Sequence, residues 1–346
     1  MKIINCAIIG FGNIGKIQAE FLTKNKNTNL RYIYEKNVKI RKKFKNTIKN
    51  VKWISSENEI FKDKEINLVL ICSYDNDHSK QILKSIKYNK SIFCEKPICQ
   101  TLKQLQIIDS QIKKNESIKF SSNLILRSVR EFKNLKNIID KKKIGQIFYC
   151  EGDYNYGRLS KIVEGWRAKI PFYSVVSGGG VHLIDIICNY LREYPTSVYA
   201  CSNKIVTKNS NFKYKDFVVS FLKFRSGIIS KISANFGCKT RHHHQLKFFG
   251  KRGSYFKEYD KSQIIFNNDR ENENSKLLRF EKKYKKSEIL KKFISQFYSH
   301  KNSNKNDIPR YEDIIKVMLV CFAIEKSFKE NKEIRIDYKK LNLKIL

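Results

Sequence analysis

Short, mostly apolar runs alternate with amphipathic stretches over the first third of the chain. Runs of this length, bounded by polar turns, are typical of strands covered on both faces, as in a parallel sheet. The stretches between them have the length and spacing of helices. We therefore expect a doubly wound α/β domain with strands at residues 3–9, 29–35, 51–54, 66–71, 91–94 and 118–121.

After residue 145 the pattern changes to longer strands whose side chains alternate between apolar and polar. Alternation with a period of two is typical of a sheet with one buried and one open face. Tight links at 225–227 and 250–253 favour antiparallel pairing. Helices are predicted at 128–142 and 311–329. The clearest predicted strands are 146–154, 217–224, 228–236 and 245–249.

The two patterns predict two domains. The first, residues 1–122, is expected to be a Rossmann domain that binds a dinucleotide. The second, residues 123–346, is expected to be an α+β domain with a large, mostly antiparallel open sheet. A chain of 346 residues is long enough to bury a core in each.

A glycine-rich turn follows the first predicted strand and opens a helix. Glycines at this spacing let the backbone turn tightly and approach a pyrophosphate, whose charge then lies at the positive end of the helix. Glu35 follows the last of these glycines by twenty residues, at the end of the second strand, where a carboxylate can accept hydrogen bonds from ribose hydroxyls. The predicted cofactor contacts here are Gly10, Gly12, Asn13, Ile14, Gly15 and Glu35.

The same region bears on the choice between the two nicotinamide dinucleotides. Glu35 favours NAD(H), because the acidic residue at this position binds the ribose 2′-hydroxyl. Lys36 and the more distant Arg41 can each accept a 2′-phosphate. NAD(H) is therefore the favoured cofactor, and NADP(H) stays open as the alternative.

Polar residues follow the fourth strand, at the sheet edge where open α/β folds bind ligands. We expect Ser73, Tyr74, Asn76 and His78 to face the cofactor. The alternative is local: Asp77 caps the next helix, and His78 forms a hydrogen bond nearby.

The fifth strand ends in Glu95-Lys96-Pro97. Hydride transfer to a carbonyl builds negative charge on oxygen, which a fixed ammonium group stabilises. Lys96 at this edge is therefore a candidate catalytic residue. A surface lysine without function is the alternative in a chain so rich in lysine.

The order of these motifs resembles the glucose-fructose oxidoreductase, inositol dehydrogenase and rhizopine-catabolism family, called Gfo/Idh/MocA. Asn123 and Arg127 also stand where that family opens its second domain. The resemblance implies a Rossmann domain joined to an α/β domain whose open sheet mediates dimers or tetramers. It also implies a catalytic Lys96, a cis Lys96–Pro97 bond, and cofactor contacts from Glu95, Lys96 and Asn123.

Three glycines, residues 178–180, precede an apolar helix predicted to start at His182. A histidine in the first turn can exchange a proton with a substrate hydroxyl near neutral pH, and Asp185 can orient it or contact the sugar. A buried structural histidine is the alternative. The family commonly has an aspartate four residues before this histidine. Gly178 takes that position here, so the usual three-residue proton relay lacks one member.

Segments 153–161 and 164–173 resemble a branch of the family found in surface-polysaccharide sugar biosynthesis. Aromatic rings beside Arg and Lys can stack on sugar faces and pair with a carboxylate or phosphate. A solvated basic loop is the alternative. The predicted substrate contacts are Lys96, Arg127, Tyr154, Arg158, Trp166, Arg167, His182 and Asp185.

Three consecutive histidines, residues 242–244, suggest a metal site at first sight. Neighbouring residues of a strand point to opposite faces, so the three cannot all bind one ion from a regular strand. No acidic or cysteine partner stands nearby in the sequence. We therefore predict no metal.

The formal net charge of +37 is compatible with binding to nucleic acid or an anionic membrane. The lysines are spread along the whole chain, which a general compositional bias explains equally well, so neither partner is predicted. Nine cysteines without metal spacing fit reduced thiols. No window has the length of a transmembrane helix. These features predict a soluble, cytoplasmic protein.

Together these features predict an NAD(P)-dependent oxidoreductase that interconverts a secondary alcohol and a ketone on a sugar or nucleotide-sugar. Lys96 is expected to polarise the oxygen, and His182 to exchange the proton. The expected assembly is a homodimer or homotetramer. The alternative is a non-catalytic sensor of the same fold. The presence of both Lys96 and His182 argues against that alternative.

Overall fold

The computed structural model describes residues 3–259, 261–267, 273–278, 285–298 and 308–345. The chain divides into two compact units. The first comprises Met1–Ser128 and Tyr284–Ile314, and the second comprises Val129–Lys283 and Ile315–Leu346. The first unit therefore takes a late segment that the sequence placed in the second domain.

The first unit is built on a six-stranded parallel sheet. Its strands are β1 (Ile4–Ile9), β2 (Thr28–Tyr34), β3 (Lys52–Ile54), β4 (Leu68–Ile71), β5 (Ser91–Cys94) and β6 (Phe120–Ser122). Their order across the sheet is β3-β2-β1-β4-β5-β6. The order reverses between β1 and β4, and open α/β sheets bind ligands in the crevice at this reversal. The predicted doubly wound domain is confirmed.

Helices connect the strands of this sheet. Two of them begin with a side-chain cap: Asn37 accepts a hydrogen bond from the backbone N–H of Lys39 (2.9 Å), and Thr101 accepts one from Gln104 (3.2 Å). Such caps satisfy backbone donors that have no partner within the helix. The helices are α1 (Asn13–Lys24), α2 (Val38–Phe44), α3 (Asn58–Lys62), α4 (Asp75–Lys87) and α5 (Leu102–Lys113).

The second unit carries a ten-stranded sheet. Its strands are β7 (Ile147–Asn155), β8 (Ser197–Asn203), β9 (Phe217–Lys223), β10 (Ile229–Asn235), β11 (His243–Gly250), β12 (Gly253–Glu258), β13 (Lys261–Asn267), β14 (Glu273–Leu278), β15 (Ile334–Asp337) and β16 (Asn342–Ile345). The order is β14-β13-β12-β11-β7-β10-β9-β8-β15-β16. Only β7 and β10 pair in parallel. The predicted mostly antiparallel open sheet is confirmed.

In the second unit, helix α6 (Arg130–Asp140) precedes β7. Helices α7 (Ser160–Val163) and α8 (Val181–Leu191) lie between β7 and β8 in the chain. The glycine segment that precedes the predicted helix is itself helical. Val176–Gly180 forms a π-helical turn that leads directly into α8. The Ser174 hydroxyl begins this turn by accepting hydrogen bonds from the backbone N–H groups of Val176 (3.1 Å) and Ser177 (3.2 Å).

Two late helices complete the fold. The helix α9 (Glu288–Ser295) buries its apolar face in the core of the first unit, where the rings of Phe293 and Phe93 lie 5.7 Å apart. The helix α10 (Tyr311–Glu330) crosses the division between the units after Ile314. Among the described helices, none combines the length and the apolar character needed to cross a membrane.

The histidine segment at the start of β11 shows the predicted alternation. His242 and His244 contact each other and the ring of Tyr154, with ring centroids 5.3 and 5.0 Å from that ring. His243 instead stacks on Tyr259 at 4.2 Å. Burial lowers the pKa of His242 to about 4 and that of His244 well below its usual value. The described part of the chain has no group of three side chains placed to hold a metal.

Phe293→Ala should lower the free energy of unfolding by about 3–5 kcal/mol, because it removes a fully buried ring from the core of the first unit. Urea denaturation measures the change. Lys291→Ala, at an exposed position of the same helix, is the matched control and should be nearly neutral. Equal stability of the two variants would contradict the packing of α9.

The stability of the protein should fall as the pH drops below about 6.5. The folded state keeps His242 neutral down to a pKa of about 4, whereas the unfolded chain takes up a proton near 6.5. The unfolded state therefore binds more protons between these values, which costs up to about 1.4 kcal/mol per pH unit for such a histidine.

The difference between the unmodified protein and His242→Asn isolates this contribution. Urea denaturation from pH 8 to pH 4.5 should give a shallower slope for the variant. At pH 8, His242 is neutral in both the folded and the unfolded protein. The stability difference between the two proteins at that pH therefore measures the packing change alone and serves as the control. Parallel curves for the two proteins would show that His242 is not held neutral by the fold.

Candidate active site

The glycine turn after β1 is fixed by close backbone contacts. Gly10 has a φ of +94°, and a Cβ atom there would lie 2.6 Å from the backbone of Cys72 and Ser73. A Cβ on Gly15 would lie 2.1 Å from the carbonyl oxygen of Gly10. By contrast, nothing lies within 4 Å of a Cβ added at Gly12. The turn is closed on the protein side and open at Gly12, where α1 begins without a side-chain cap.

Glu35 lies directly after β2 with its carboxylate held by backbone donors. Phe11 N–H donates to Oε2 (2.6 Å), and Asn37 N–H donates to Oε1 (2.8 Å). These bonds fix the carboxylate beside the glycine turn. Each oxygen retains further acceptor capacity for hydroxyl donors. The residues at 10–15 and Glu35 therefore fit the pyrophosphate and ribose of a dinucleotide.

Residues after β4 divide into exposed and buried side chains. Tyr74 is half exposed, and the Ser73 hydroxyl donates to Gln81 Oε1 (2.6 Å). Asn76 Nδ2 donates to Asp77 Oδ1 (3.0 Å). Asp77 lies in the first turn of α4 and is not its N-cap, which is Tyr74.

His78 is fully buried and held on both sides. Its Nδ1 lies 2.6 Å from the carbonyl oxygen of Pro97, and its Nε2 lies 3.1 Å from that of Ser73. The ring is therefore used to join the turn after β4 to the segment that carries Lys96. This placement favours the local role considered for His78 over a direct cofactor contact.

The segment after β5 is anchored by its neighbours. Asn123 Nδ2 donates to Glu95 Oε1 (2.6 Å), and burial raises the pKa of the Glu95 carboxyl despite this hydrogen bond and the nearby Lys96 charge. The Lys96–Pro97 peptide is cis, as the family resemblance implies. Lys96 thus extends from a backbone that is fixed on both sides, by Glu95 and by the Pro97 carbonyl.

Arg127 lies in a short 3₁₀ turn, Ile125–Ser128, and is almost completely buried. Its Nη1 lies 3.2 Å from Asp313 Oδ2, also in the first unit. A buried ion pair of this kind requires both partners, because removing one leaves an uncompensated charge. The ion pair gives Arg127 a structural role, and its contact with substrate stays a prediction from the sequence.

His182 and Asp185 lie in the first two turns of α8, and both are buried. The ring of Tyr154, on β7, stacks at 6.4 Å from that of His182. Burial raises the pKa of the Tyr154 hydroxyl. Tyr154 therefore stays protonated and joins His182 to the histidines of β11, all within the second unit.

The glycines of the π-helical turn make room for aromatic side chains. A Cβ on Gly178 would lie 2.3 Å from the Tyr173 hydroxyl, and one on Gly179 would lie 2.6 Å from the Tyr154 ring. The close approach predicted for these glycines therefore brings them against rings of the same unit. An aspartate at 178 is sterically incompatible with Tyr173 in this position.

The basic loop before this turn is ordered by ring contacts. Arg167 Nε donates to the Tyr173 hydroxyl (3.0 Å), and the guanidinium lies 4.6 Å from the ring of Trp166 and 5.6 Å from that of Tyr156. The Arg158 guanidinium lies 5.7 Å from the Tyr156 ring. The structure thus brings the predicted Trp166, Arg167 and Arg158 into one cationic and aromatic cluster.

Several residues of this cluster were not singled out in the sequence. Tyr156 and Phe236 stack at 4.5 Å, and both lie within 5.8 Å of another ring of the cluster. The available signal was the i, i+2 spacing of Tyr154 and Tyr156 at the end of β7 and of His242 and His244 at the start of β11, since residues at this spacing in extended backbone share a face.

The chain matches two family models, one in each part. Residues 4–123 match the oxidoreductase family with an NAD-binding Rossmann fold, and residues 132–256 match the GFO/IDH/MocA C-terminal domain. Myo-inositol 2-dehydrogenase of Thermotoga maritima is 25% identical over 343 residues, covering 95% of this chain and 98% of that protein.

Solved structures share the fold. Myo-inositol 2-dehydrogenase from Lactobacillus plantarum has a TM-score of 0.81 at 18% identity, covering 97% of this chain and 100% of that one. Levoglucosan dehydrogenase in complex with NADH and L-sorbose has a TM-score of 0.80 at 18% identity, with the same coverage. The family model and the Thermotoga maritima relative confirm the predicted enzyme class, a dehydrogenase or reductase acting on CH–OH groups. The chain belongs to the Gfo/Idh/MocA family of NAD-binding oxidoreductases.

Proposed function

We propose that this protein interconverts a secondary alcohol and a ketone on a sugar or nucleotide-sugar by hydride transfer to or from NAD(H). The observation that carries the proposal is in the first unit. Lys96 extends from a segment fixed by Asn123 and His78, at the sheet edge that also holds the open turn at Gly12. An ammonium at this edge suits the oxygen of a carbon that exchanges a hydride.

In this mechanism the nicotinamide supplies the hydride chemistry, and the protein supplies charge and proton transfer. Lys96 stabilises the negative charge that develops on the substrate oxygen during ketone reduction. His182 donates the proton to that oxygen, or removes it in the reverse direction. His182 lies in a buried helix turn, so its ring has few alternative orientations. Gly178 supplies no third group, so two residues carry the proton and charge steps.

Residues of the second unit support the proposed substrate class. Tyr154, Trp166 and Arg167 offer ring faces for a sugar and a guanidinium for a carboxylate or phosphate. The names of related proteins point the same way, because they specify myo-inositol and levoglucosan as substrates. A role in surface-polysaccharide sugar biosynthesis, with an acidic or nucleotide-linked sugar, fits the cationic loop.

NAD(H) is the favoured cofactor because Glu35 is held in place at the end of β2 by backbone donors. NADP(H) has support from a cavity of about 380 Å³ along α2, lined by Arg41, Lys42 and Lys45 among others. Arg41 also donates from Nη1 to the Ile54 carbonyl (3.3 Å), which uses one of its hydrogen-bond donors.

We further infer a homodimer or homotetramer that assembles through the open face of the ten-stranded sheet. Tyr199 pairs with Phe221 across β8 and β9, and Ile229 lies on the same face of β10. All three side chains are exposed. Apolar side chains grouped on one open face suit a contact between subunits. The structure shows no disulfide among the described cysteines, which fits a reducing compartment such as the cytoplasm.

Fluorescence titration with NADH and with NADPH tests the proposed function. We expect saturable binding of NADH, tighter than that of NADPH, and oxidation of bound NADH by one member of a panel of ketosugars and nucleotide-ketosugars. Glu35→Gln should weaken the binding of NADH and so reduce the preference for NADH over NADPH, because it removes the carboxylate charge but keeps the shape of the side chain. If NADH binds but no member of the panel is turned over, the result would favour the alternative function, a non-catalytic sensor. Failure to bind either NADH or NADPH would overturn the proposal.

Lys96→Ala and His182→Ala should each lower turnover by about 10²–10⁴-fold, because each removes a group that acts in the transition state. NADH binding should survive in both. Lys103→Ala, at an exposed position in the first turn of α5, is the matched control and should keep normal turnover. Near-normal turnover in either active-site variant would show that the residue has another role.

A further inference from the structure

The second unit contains a cavity of about 470 Å³ that none of the predicted substrate contacts lines. It lies where β8 ends and β9 begins, against the last turns of α10. Its lining residues include the aromatic residues Phe172, Tyr214 and Phe328 and four lysines, Lys204, Lys213, Lys215 and Lys329.

The charges around this cavity are unbalanced. Lys329 lies 3.7 Å from Glu325, the only acidic residue in the cavity wall. Lys204, Lys213 and Lys215 form no ion pair with any residue that the structure describes. Like charges held around one concave surface repel each other and favour a bound anion.

Glu325 does not offset these three lysines. Its Oε1 accepts a hydrogen bond from the Ser174 hydroxyl and its Oε2 pairs with Lys329, so its charge is already matched by one lysine of the wall. Burial also raises the pKa of its carboxyl group. The remaining charge in the cavity is that of the lysines on the two strand ends.

The aromatic wall is rigidly placed. The Phe172 and Tyr214 rings meet edge to face at 5.9 Å, and the Tyr214 hydroxyl donates to the Ile170 carbonyl (2.6 Å). Lys329 lies 5.6 Å from the Phe172 ring. A flat ring can pack against this wall while an anionic group reaches the lysines.

We propose that this cavity is a second ligand site, for a phosphorylated small molecule that carries a planar ring, such as a nucleoside diphosphate. Lysine binds phosphate as a compact point charge, and several lysines match the multiple charges of a diphosphate better than the single charge of a carboxylate. The cavity volume lies in the range of small-molecule sites.

The cavity adjoins the cationic and aromatic cluster through one shared residue. Tyr173 lines the cavity and also accepts the hydrogen bond from Arg167 above Gly178. Ser174, next in sequence, links Glu325 to the start of the π-helical turn. A ligand in the cavity therefore contacts the segment that leads into the helix of His182.

Calorimetric titration of the full chain with UDP and with inorganic pyrophosphate tests the site, in the presence of saturating NADH so that a dinucleotide site in the first unit is filled. We expect both probes to bind, UDP more tightly because its base packs against the ring wall. The triple variant K204Q/K213Q/K215Q should weaken both by about tenfold or more, since it removes three phosphate-binding charges.

A matched variant separates this effect from the general basic charge of the chain. K208Q/K239Q/K251Q removes the same charge from exposed positions of the second unit outside the cavity and should change binding by less than about twofold. Thermal unfolding of both triple variants checks that each is folded. Equal weakening in the two variants, or no UDP binding by the unmodified protein, would overturn the proposal.

Phe172→Leu tests the ring wall. It should weaken UDP and leave pyrophosphate unchanged, because only UDP carries a ring. Equal affinities of UDP and pyrophosphate for the unmodified protein would overturn the assigned ligand class. These readouts are binding heats and need no turnover. If NADH itself does not bind, the same comparison of variants without NADH still tests the cavity separately from the proposed reaction.

Discussion

Close approach of backbone and side-chain atoms to a few glycines is the constraint on which the candidate functional residues of each unit depend. In the first unit, the Gly10 carbonyl contacts Gly15 so closely that any side chain there is excluded, and this contact sets where α1 begins. In the second unit, Gly178 and Gly179 admit Tyr173 and Tyr154 against the start of α8. Each contact fixes where a helix begins. In the first unit this is α1, which follows the glycine turn, and in the second it is α8, which carries His182.

Buried polar groups then orient the residues with chemical roles. Glu95 is held by Asn123, and His78 joins the carbonyl of Pro97 to the turn after β4. These contacts take up residues that the sequence had grouped with the cofactor. A catalytic lysine needs a fixed backbone more than additional ligands, because its long side chain otherwise samples many rotamers. In the proposed mechanism, the supporting residues act by fixing the backbone that carries Lys96.

The alternation of apolar residues predicted both sheets, because buried parallel strands and half-open antiparallel strands impose different periods. It did not predict the location of α9, whose apolar face is equally compatible with either core. Nor did it predict the pairing of Arg127 with Asp313, which are separated by most of the chain. The sequence also did not predict the cavity at Lys204 and Lys213. In a chain with seventy Lys and Arg residues, the spacing of lysines along the sequence does not distinguish a cluster in space.

The sequence by itself determined the Rossmann domain, its glycine turn with Glu35, and the positions of Lys96 and His182, because each depends on residues close together in the chain. Tertiary structure decided what surrounds them. It placed the Tyr173 hydroxyl above Gly178, bound His78 to two carbonyl groups, and grouped Arg167 with the rings of Tyr156, Trp166 and Tyr173. It also paired Arg127 with Asp313 from a late segment of the chain. Side-chain contacts of this kind depend on the path of the chain in three dimensions, which the local pattern of residues does not specify.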